Sequence, residues 1–293
     1  MRVCYVVNPA AGRGRTGKLW PLLGQRLKEE GHEFDVLYTG HPREATELAR
    51  RAAREGYDRV AAVGGDGTAC EVGEGLVGTD AALVVVPSGT GNDLRKPLRV
   101  PEDPLAAARL AFVGAPRPID VGQVGARYFL NVAGVGFDAE VAREVNRLPK
   151  YFGGTIPYLW GVAKKLTSHR SVPMRIVADG RVLEERVYLL ALGNGQWYGA
   201  GMKITPDAVI DDGLFDVVYA VDFNAWDAIL TVPKVYSGAH LGHPKLRQLR
   251  ARRVEITADQ PVAYHIDGEE QGYLPATFVI IPRALQVVVP PTP

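Results

Sequence analysis

Residues 60–71 end an apolar run in Gly64-Gly65-Asp66-Gly67-Thr68 and continue to Glu71. Glycines after a strand let a phosphate approach the backbone, and the N–H groups and dipole of a following helix attract it. Thr68 and Glu71 have the T-x-x-E spacing of a capping box, which predicts a helix from Thr68 to about residue 77. An acid in such a loop repels phosphate unless a divalent cation lies between them, so Asp66 points to Mg²⁺ and a nucleotide. Two further glycine-rich segments follow apolar runs: Asn8-Pro9-Ala10-Ala11-Gly12-Arg13-Gly14, and Pro87-Ser88-Gly89-Thr90-Gly91-Asn92-Asp93. The first nearly matches two phosphate-loop patterns. It lacks the Ser or Thr after Lys18 of a Walker loop and the acid closing the second strand of a dinucleotide fingerprint. Its Arg13, Arg15 and Lys18 nonetheless suit phosphates.

Elements must hold these loops in place. Val3–Val7 reads as a buried strand, followed by a helix over 19–30, a strand over 33–38 and a helix over 42–55. The strand before Gly64 and another over 83–86 complete an alternating β/α pattern, with a second capped helix expected after Thr90. Such a pattern predicts a parallel sheet with ligands at the carboxyl ends of its strands. Asn8, Thr39, Gly64, Gly65, Gly67, Ser88, Gly89 and Thr90 all fall on that edge. From Gly122 onward hairpin signals take over, at Gly125-Ala126 and Asp179-Gly180, with strands over 127–132, 174–178, 181–192, 213–219, 253–258, 262–266, 277–281 and 285–289. The second half therefore reads as an antiparallel β-sandwich with a helical insertion over 139–169. The expected domains are 1–121 and 122–293, with the last strand or tail free to return to the first.

The chain has 293 residues, room for two cores, and a formal net charge of +1. That charge argues against nucleic-acid binding driven by bulk electrostatics. Two cysteines, Cys4 and Cys70, make no disulfide framework and fit a reducing cytoplasm. The run Val3–Val7 is too short for a signal peptide, and no apolar stretch is long enough to span a bilayer. Membrane contact is then peripheral. Phe152, Tyr158 and Trp160 beside Lys164 and Lys165 fit an interfacial contact about as well as a helix packed on the sandwich.

Together the spaced motifs resemble the diacylglycerol kinase catalytic-domain family, in particular its bacterial diacylglycerol- and sphingosine-kinase-like lipid kinases. The carriers are Asn8-Pro9, Gly64-Gly65-Asp66-Gly67-Thr68 and Pro87 through Asp93, followed by Asp120-Val121-Gly122 and Asn131 through Asp138. Asp211-Asp212-Gly213-Leu214-Phe215 and Asp267-Gly268-Glu269 complete the set. One departure is Cys70, where the family usually has asparagine.

The resemblance implies an α/β nucleotide-binding domain, of the NAD-kinase and phosphofructokinase type, joined to a β-sandwich with the active site in the cleft. It implies Mg²⁺-dependent transfer of the ATP γ-phosphate to a lipid hydroxyl, diacylglycerol first, at a membrane surface; a homodimer is compatible. It places Asp66, Asp93 and Asp120 among the acids of the site and makes Glu269 the proton acceptor. Asn8, Thr39, the Gly64–Thr68 loop, Glu71, Ser88, Gly89 and Thr90 are implied as nucleotide contacts. A loop metal is implied on the carboxylate of Asp212 and the carbonyls of Val209 and Leu214. The bland readings are a tight turn for the glycines, caps for Thr68 and Asp93, a junction turn for Asp120, and solvated acids for Asp212 and Glu270. The rival functions are a soluble NAD or sugar kinase sharing the glycine-aspartate turn, and a non-catalytic nucleotide-binding regulator.

Overall fold

The structure is a computed structural model and describes residues 1–147, 165 and 169–291. The chain divides into two units, Met1–Val121 with Pro282–Pro293, and Gly122–Ile281. In the first unit β1 (Val3–Val7), β2 (Asp35–Tyr38), β3 (Arg59–Gly64) and β4 (Ala82–Pro87) alternate with α1 (Arg15–Glu29), α2 (Glu44–Arg54) and α3 (Asp66–Leu76). The strands are parallel in the order β4-β3-β1-β2. The strands β1, β3 and β4 are almost wholly buried and correspondingly apolar, whereas the edge strand β2 is partly exposed and mixed. Helix α2 buries Ala45, Leu48, Ala49 and Ala52, with acids in its first turn and arginines in its last, matching its dipole. Because β1 and β3 are neighbours while β2 lies outside them, the chain reverses direction across the sheet between β1 and β3. Ligands of open α/β sheets bind at that switch point. α4 (Pro104–Val113) follows, started by Asp103, whose carboxylate accepts the Ala106 N–H at 2.8 Å.

The second unit is antiparallel. It comprises β5 (Ala115–Val124, which begins in the first unit), β6 (Arg127–Phe129), β7 (Val132–Gly136), β8 (Val172–Ala178), β9 (Arg181–Gly193) and β10 (Phe215–Val221). Then come β11 (Leu246–Ala251), β12 (Arg253–Ala258), β13 (Ala263–Ile266), β14 (Glu269–Tyr273) and β15 (Ala276–Val289). Pairing runs β14-β13-β7-β9-β8-β12-β15, and β10 bridges β9 and β11. Inward side chains including Phe129, Ile176, Leu190, Phe215, Val254 and Phe278 form one core. A second cluster, with Phe137, Tyr188, Val218 and Phe223, seats α5 (Phe137–Arg147) and α6 (Ala225–Val235). The end of β15 lies parallel to β4, pairing Gln286 with Ala82, within the first unit.

The chain is thus an N-terminal α/β unit with parallel strands followed by a β-sandwich-like unit, as the motif order implies. Several local expectations are corrected. α3 opens at Asp66 with Gly65 as its N-cap, two residues earlier than the capping box predicts. Thr68 therefore sits inside the first turn and cannot cap it. α1 starts at Arg15 rather than residue 19. No helix follows Thr90; residues 91–100 make turns. β15 is one strand where the sequence reads two, and α4, α6, β11 and β14 were not foreseen. Phe152, Tyr158, Trp160 and Lys164 lie outside the described residues. Lys165 is described, and its ammonium pairs with Glu140 at 3.4 Å and Glu144 at 3.8 Å.

Candidate active site

At the carboxyl edge of the first sheet, three loops are laced together by short-range polar contacts. Asn8, after β1, donates from Nδ2 to Thr68 Oγ1 at 3.0 Å, after β3. Thr16 and Ser88 share a buried hydroxyl–hydroxyl bond of 2.7 Å, joining α1 to the loop after β4. The N–H groups of Ser88 and Gly89 donate to the Gly64 carbonyl at 2.8 and 3.1 Å. Thr39 donates its N–H to Val7 at 2.9 Å, so it stands on the same edge beyond β1. Sequence spacing alone does not show this lacing, because the partners are 60 and 72 residues apart.

Glycine is required where these loops touch. A Cβ on Gly89 would stand 2.4 Å from Gly65 Cα, and one on Gly12 (φ +57°) 2.6 Å from the Ser88 carbonyl oxygen. Both obstacles are backbone and cannot swing aside. Gly67 differs: a Cβ there would meet nothing within 4 Å. It lies in the first turn of α3, whose N-cap Gly65 offers no side-chain acceptor. First-turn N–H groups lack helical partners, so this end of α3 is built for an anion. Gly67→Ala therefore separates a turn-forming role from a phosphate-binding one. The variant should melt no lower than the parent, since alanine favours a helix by about 1 kcal/mol over glycine. Its ATP affinity should fall by about tenfold, the methyl standing where the backbone meets phosphate. Unchanged affinity by calorimetry would leave the glycine a turn residue only.

Asp66 carries the electrostatics. Its Oδ1 accepts the Leu94 N–H at 3.1 Å. Burial, and secondly the neighbouring charge of Asp93, raise its carboxyl from 3.8 to about 6, against backbone hydrogen bonds that pull it down. Asp93 is buried and bonds Lys96 Nζ at 2.7 Å; it caps no helix. A carboxyl whose ionisation is opposed by burial and by a neighbouring acid is suited to a cationic ligand. Glu71 and Thr90 lie in α3 and in the loop after β4, on the elements that carry Thr68 and Gly89. Asp120 is different. It is fully buried in β5, and its Oδ1 accepts the Arg283 N–H at 2.8 Å, so it is a strand residue and not a junction turn.

In the second unit, Asp267 and Gly268 form the two-residue β13–β14 turn with φ of +46° and +85°, as an Asp-Gly hairpin needs. The Asp267 carboxylate accepts N–H groups of Leu130, Asn131 and Val132 at 2.8, 3.0 and 3.1 Å, tying the turn to β7. Glu269 and Glu270 then part ways. Glu270 is gripped by both Arg143 Nε (2.7 Å) and Arg143 Nη2. Among the described residues Glu269 is approached by Arg127 at 3.7 Å, and its side chain is 46 % exposed. A carboxylate in a bidentate guanidinium grip is a poor proton acceptor, whereas the exposed one is available.

The Asp212 loop gathers charge. Asp212 accepts the Leu214 N–H at 3.1 Å on one oxygen and Arg250 on the other. Asp216 is buried, its Oδ2 lacks a hydrogen bond, and Arg250 Nε is 3.4 Å from it. Burial raises the Asp216 carboxyl above its usual value. Arg250 supplies positive charge to both carboxylates. Among the described residues no three His, Cys, Asp or Glu side chains converge as a metal cage. Oxygen ligation by one carboxylate with carbonyls, or with phosphate oxygens, remains the form that suits Mg²⁺.

Two family models cover most of the chain. The diacylglycerol kinase catalytic domain matches residues 2–124, and the YegS C-terminal NAD kinase beta sandwich-like domain matches residues 131–289. Among curated relatives, diacylglycerol kinase of Bacillus subtilis (strain 168) is 32% identical over 292 residues, covering 99% of this chain and 96% of that protein. Diacylglycerol kinase of Staphylococcus carnosus (strain TM300) is 30% identical over 291 residues, with 99% and 95% covered. A crystal structure titled as a diacylglycerol kinase from Bacillus anthracis str. Sterne superposes with TM-score 0.75 at 21% identity, over 99% of this chain and 97% of that one, and so shares the fold. With two matched models in order and full-length relatives of this identity, the chain belongs to the diacylglycerol kinase catalytic-domain family and is of kinase type.

Proposed function

We propose that the protein is an ATP- and Mg²⁺-dependent lipid kinase whose first acceptor is diacylglycerol, giving phosphatidic acid. The observation that carries this reading is the lacing of three glycine-rich loops at the β1/β3 switch point, with Asp66 raised toward neutrality among them. The lipid acceptor is drawn from the named relatives, which match across both units.

In this reading Asn8, Thr39, Gly64, Gly65, Gly67, Thr68, Glu71, Ser88, Gly89 and Thr90 line the nucleotide site. Asp66, joined by Asp93 and, by the family resemblance, Asp120, sets the charge that Mg²⁺ answers. Mg²⁺ supplies neutralisation of the phosphate charge that builds during transfer. Glu269 takes the proton of the acceptor hydroxyl as the oxygen attacks phosphorus. Because a hydroxyl ionises far above neutrality, this base acts mainly in the transition state. The bilayer is met without a spanning helix: none among the described residues is long and apolar enough. α6 exposes Trp226, Ile229 and Leu230, one turn apart, and this stripe suits an interface.

A structural Mg²⁺ on Asp212 with the Val209 and Leu214 carbonyls belongs to the same proposal, taking over the charge role of Arg250. Added Mg²⁺ should then raise the melting temperature of the protein, and Asp212→Ala should abolish that rise. An equal rise in the variant removes the loop from the metal account.

The test of the function is labelled-phosphate transfer from ATP in mixed micelles to diacylglycerol, sphingosine and phosphatidylglycerol, with NAD as a soluble control. Label on a lipid supports the reading; label on NAD alone overturns it.

A further inference from the structure

Behind the Asp267-Gly268-Glu269 turn lies a polar chain built on a buried carboxylate–imidazole pair, Asp138 and His265, which joins the end of the Asn131–Asp138 segment to the turn. Tyr198 donates its hydroxyl to Asp138 Oδ1 at 2.8 Å, and His265 Nε2 meets Asp138 Oδ2 at 2.9 Å. Asp138 and His265 are 2 % and 1 % exposed. On the far side of the ring, the Gly268 N–H donates to His265 Nδ1 at 3.2 Å. Room for this pair depends on Gly134 in β7: a Cβ there would stand 2.2 Å from Asp138 Oδ2 and 2.3 Å from His265 Nε2.

The donors fix the proton. A backbone N–H can only donate, so Nδ1 must carry the lone pair, and the single ring proton sits on Nε2, where the carboxylate accepts it. Asp138 lies in the first turn of α5, so the helix dipole and two donors hold its charge. The ring is therefore a neutral strut of one tautomer, with one end on Asp138 and the other on the residue immediately before Glu269.

We propose that His265 is a positioning residue for the phosphoryl-transfer base: through Gly268 it sets the aim of Glu269, and Asp138 with Tyr198 sets the tautomer that lets it do so. This rests on Glu269 being the base in the function proposed above. His265 is buried, with its ring nitrogens on Asp138 and Gly268, so its action is through the turn. A misaimed base lowers the rate of the chemical step while leaving nucleotide binding alone.

Two substitutions split the strut. Asn at 265 can put its Oδ1 near the place of Nδ1 and accept the Gly268 N–H, but it cannot reach Asp138. Gln reaches Asp138 with its amide N–H₂ and offers nothing at the Nδ1 position. A purely structural role ranks Gln above Asn, because His265→Asn leaves a buried carboxylate short of a donor. The positioning role ranks kcat the other way.

The experiment measures kcat and the KM for ATP of parent, His265→Asn and His265→Gln with diacylglycerol micelles, together with the ¹⁵N spectrum of the histidine rings and Gly268 amide exchange in the parent. Expected are a kcat for His265→Asn within about threefold of the parent, a loss of about tenfold or more for His265→Gln, and little change in KM. The His265 ring should be neutral with its proton on Nε2, and the Gly268 amide protected. Equal kcat in the two variants, a ring proton on Nδ1, or an unprotected Gly268 amide each overturns the inference. If the parent phosphorylates no lipid alcohol, the functional reading fails by itself, while the ring tautomer and amide protection still decide whether the strut exists. The parent spectra also decide it if a variant does not fold.

Discussion

Asp66→Asn should raise the melting temperature of the ligand-free protein at neutral pH while lowering kcat by about a hundredfold or more. Asparagine keeps an acceptor for the Leu94 N–H and removes the charge that burial and Asp93 oppose. The linkage sign is definite. A folded-state value of about 6 against 3.8 means that the folded protein holds a proton the unfolded chain releases between these values. Stability from this group is full below about pH 4 and is lost as pH rises through 6, an effect on the order of 1–3 kcal/mol at pH 7. Melting curves of the parent should therefore show a fall across that window that is missing in Asp66→Asn. Mg²⁺ with ATP should stabilise the parent and not the variant. A variant that melts like the parent at every pH and turns over normally removes Asp66 from the metal–phosphate role.

Glu269→Gln should lower kcat by about 10²–10⁴-fold with ATP binding intact, the range that a positioned general base contributes. Its neighbour gives a built-in control of opposite character. Glu270→Gln breaks the bidentate pair with Arg143 and the contact of that guanidinium with Tyr273, so it should cost about 1–3 kcal/mol of stability with kcat nearly unchanged. Steady-state kinetics and thermal melts on the two variants separate them cleanly. Loss of turnover in Glu270→Gln with a silent Glu269→Gln would shift the base by one residue.

The two glutamates also show what one sequence displays and what it hides. Asp-Gly before Glu269 marks the turn, because both positions need positive φ. That Arg143 takes Glu270 is invisible, since the partners stand 127 residues apart. The same separation hides His265 from Asp138. The parallel sheet was legible because β1, β3 and β4 are apolar apart from Arg59 at the start of β3, and end in glycine-rich loops. Helix α4 was not, because its Ala- and Leu-rich run has no polar face to give a helical period, although Asp103-Pro104 is a start signal. Thr68 misled for a reason of geometry: Gly65 can cap α3, so the helix starts early and frees the threonine hydroxyl for Asn8. The strand Leu246–Ala251 was hidden because its pattern does not alternate: Arg247 and Arg250 are three residues apart and fall on opposite faces, so no apolar face shows with period two.

The most direct measurement is product analysis by mass spectrometry after purified protein is mixed with MgATP and dioleoylglycerol micelles. The account predicts phosphatidic acid formed in equal amount with ADP, dependent on Mg²⁺ and lost in Glu269→Gln. ADP release with no phosphorylated lipid, or phosphate found on NAD instead, would contradict it.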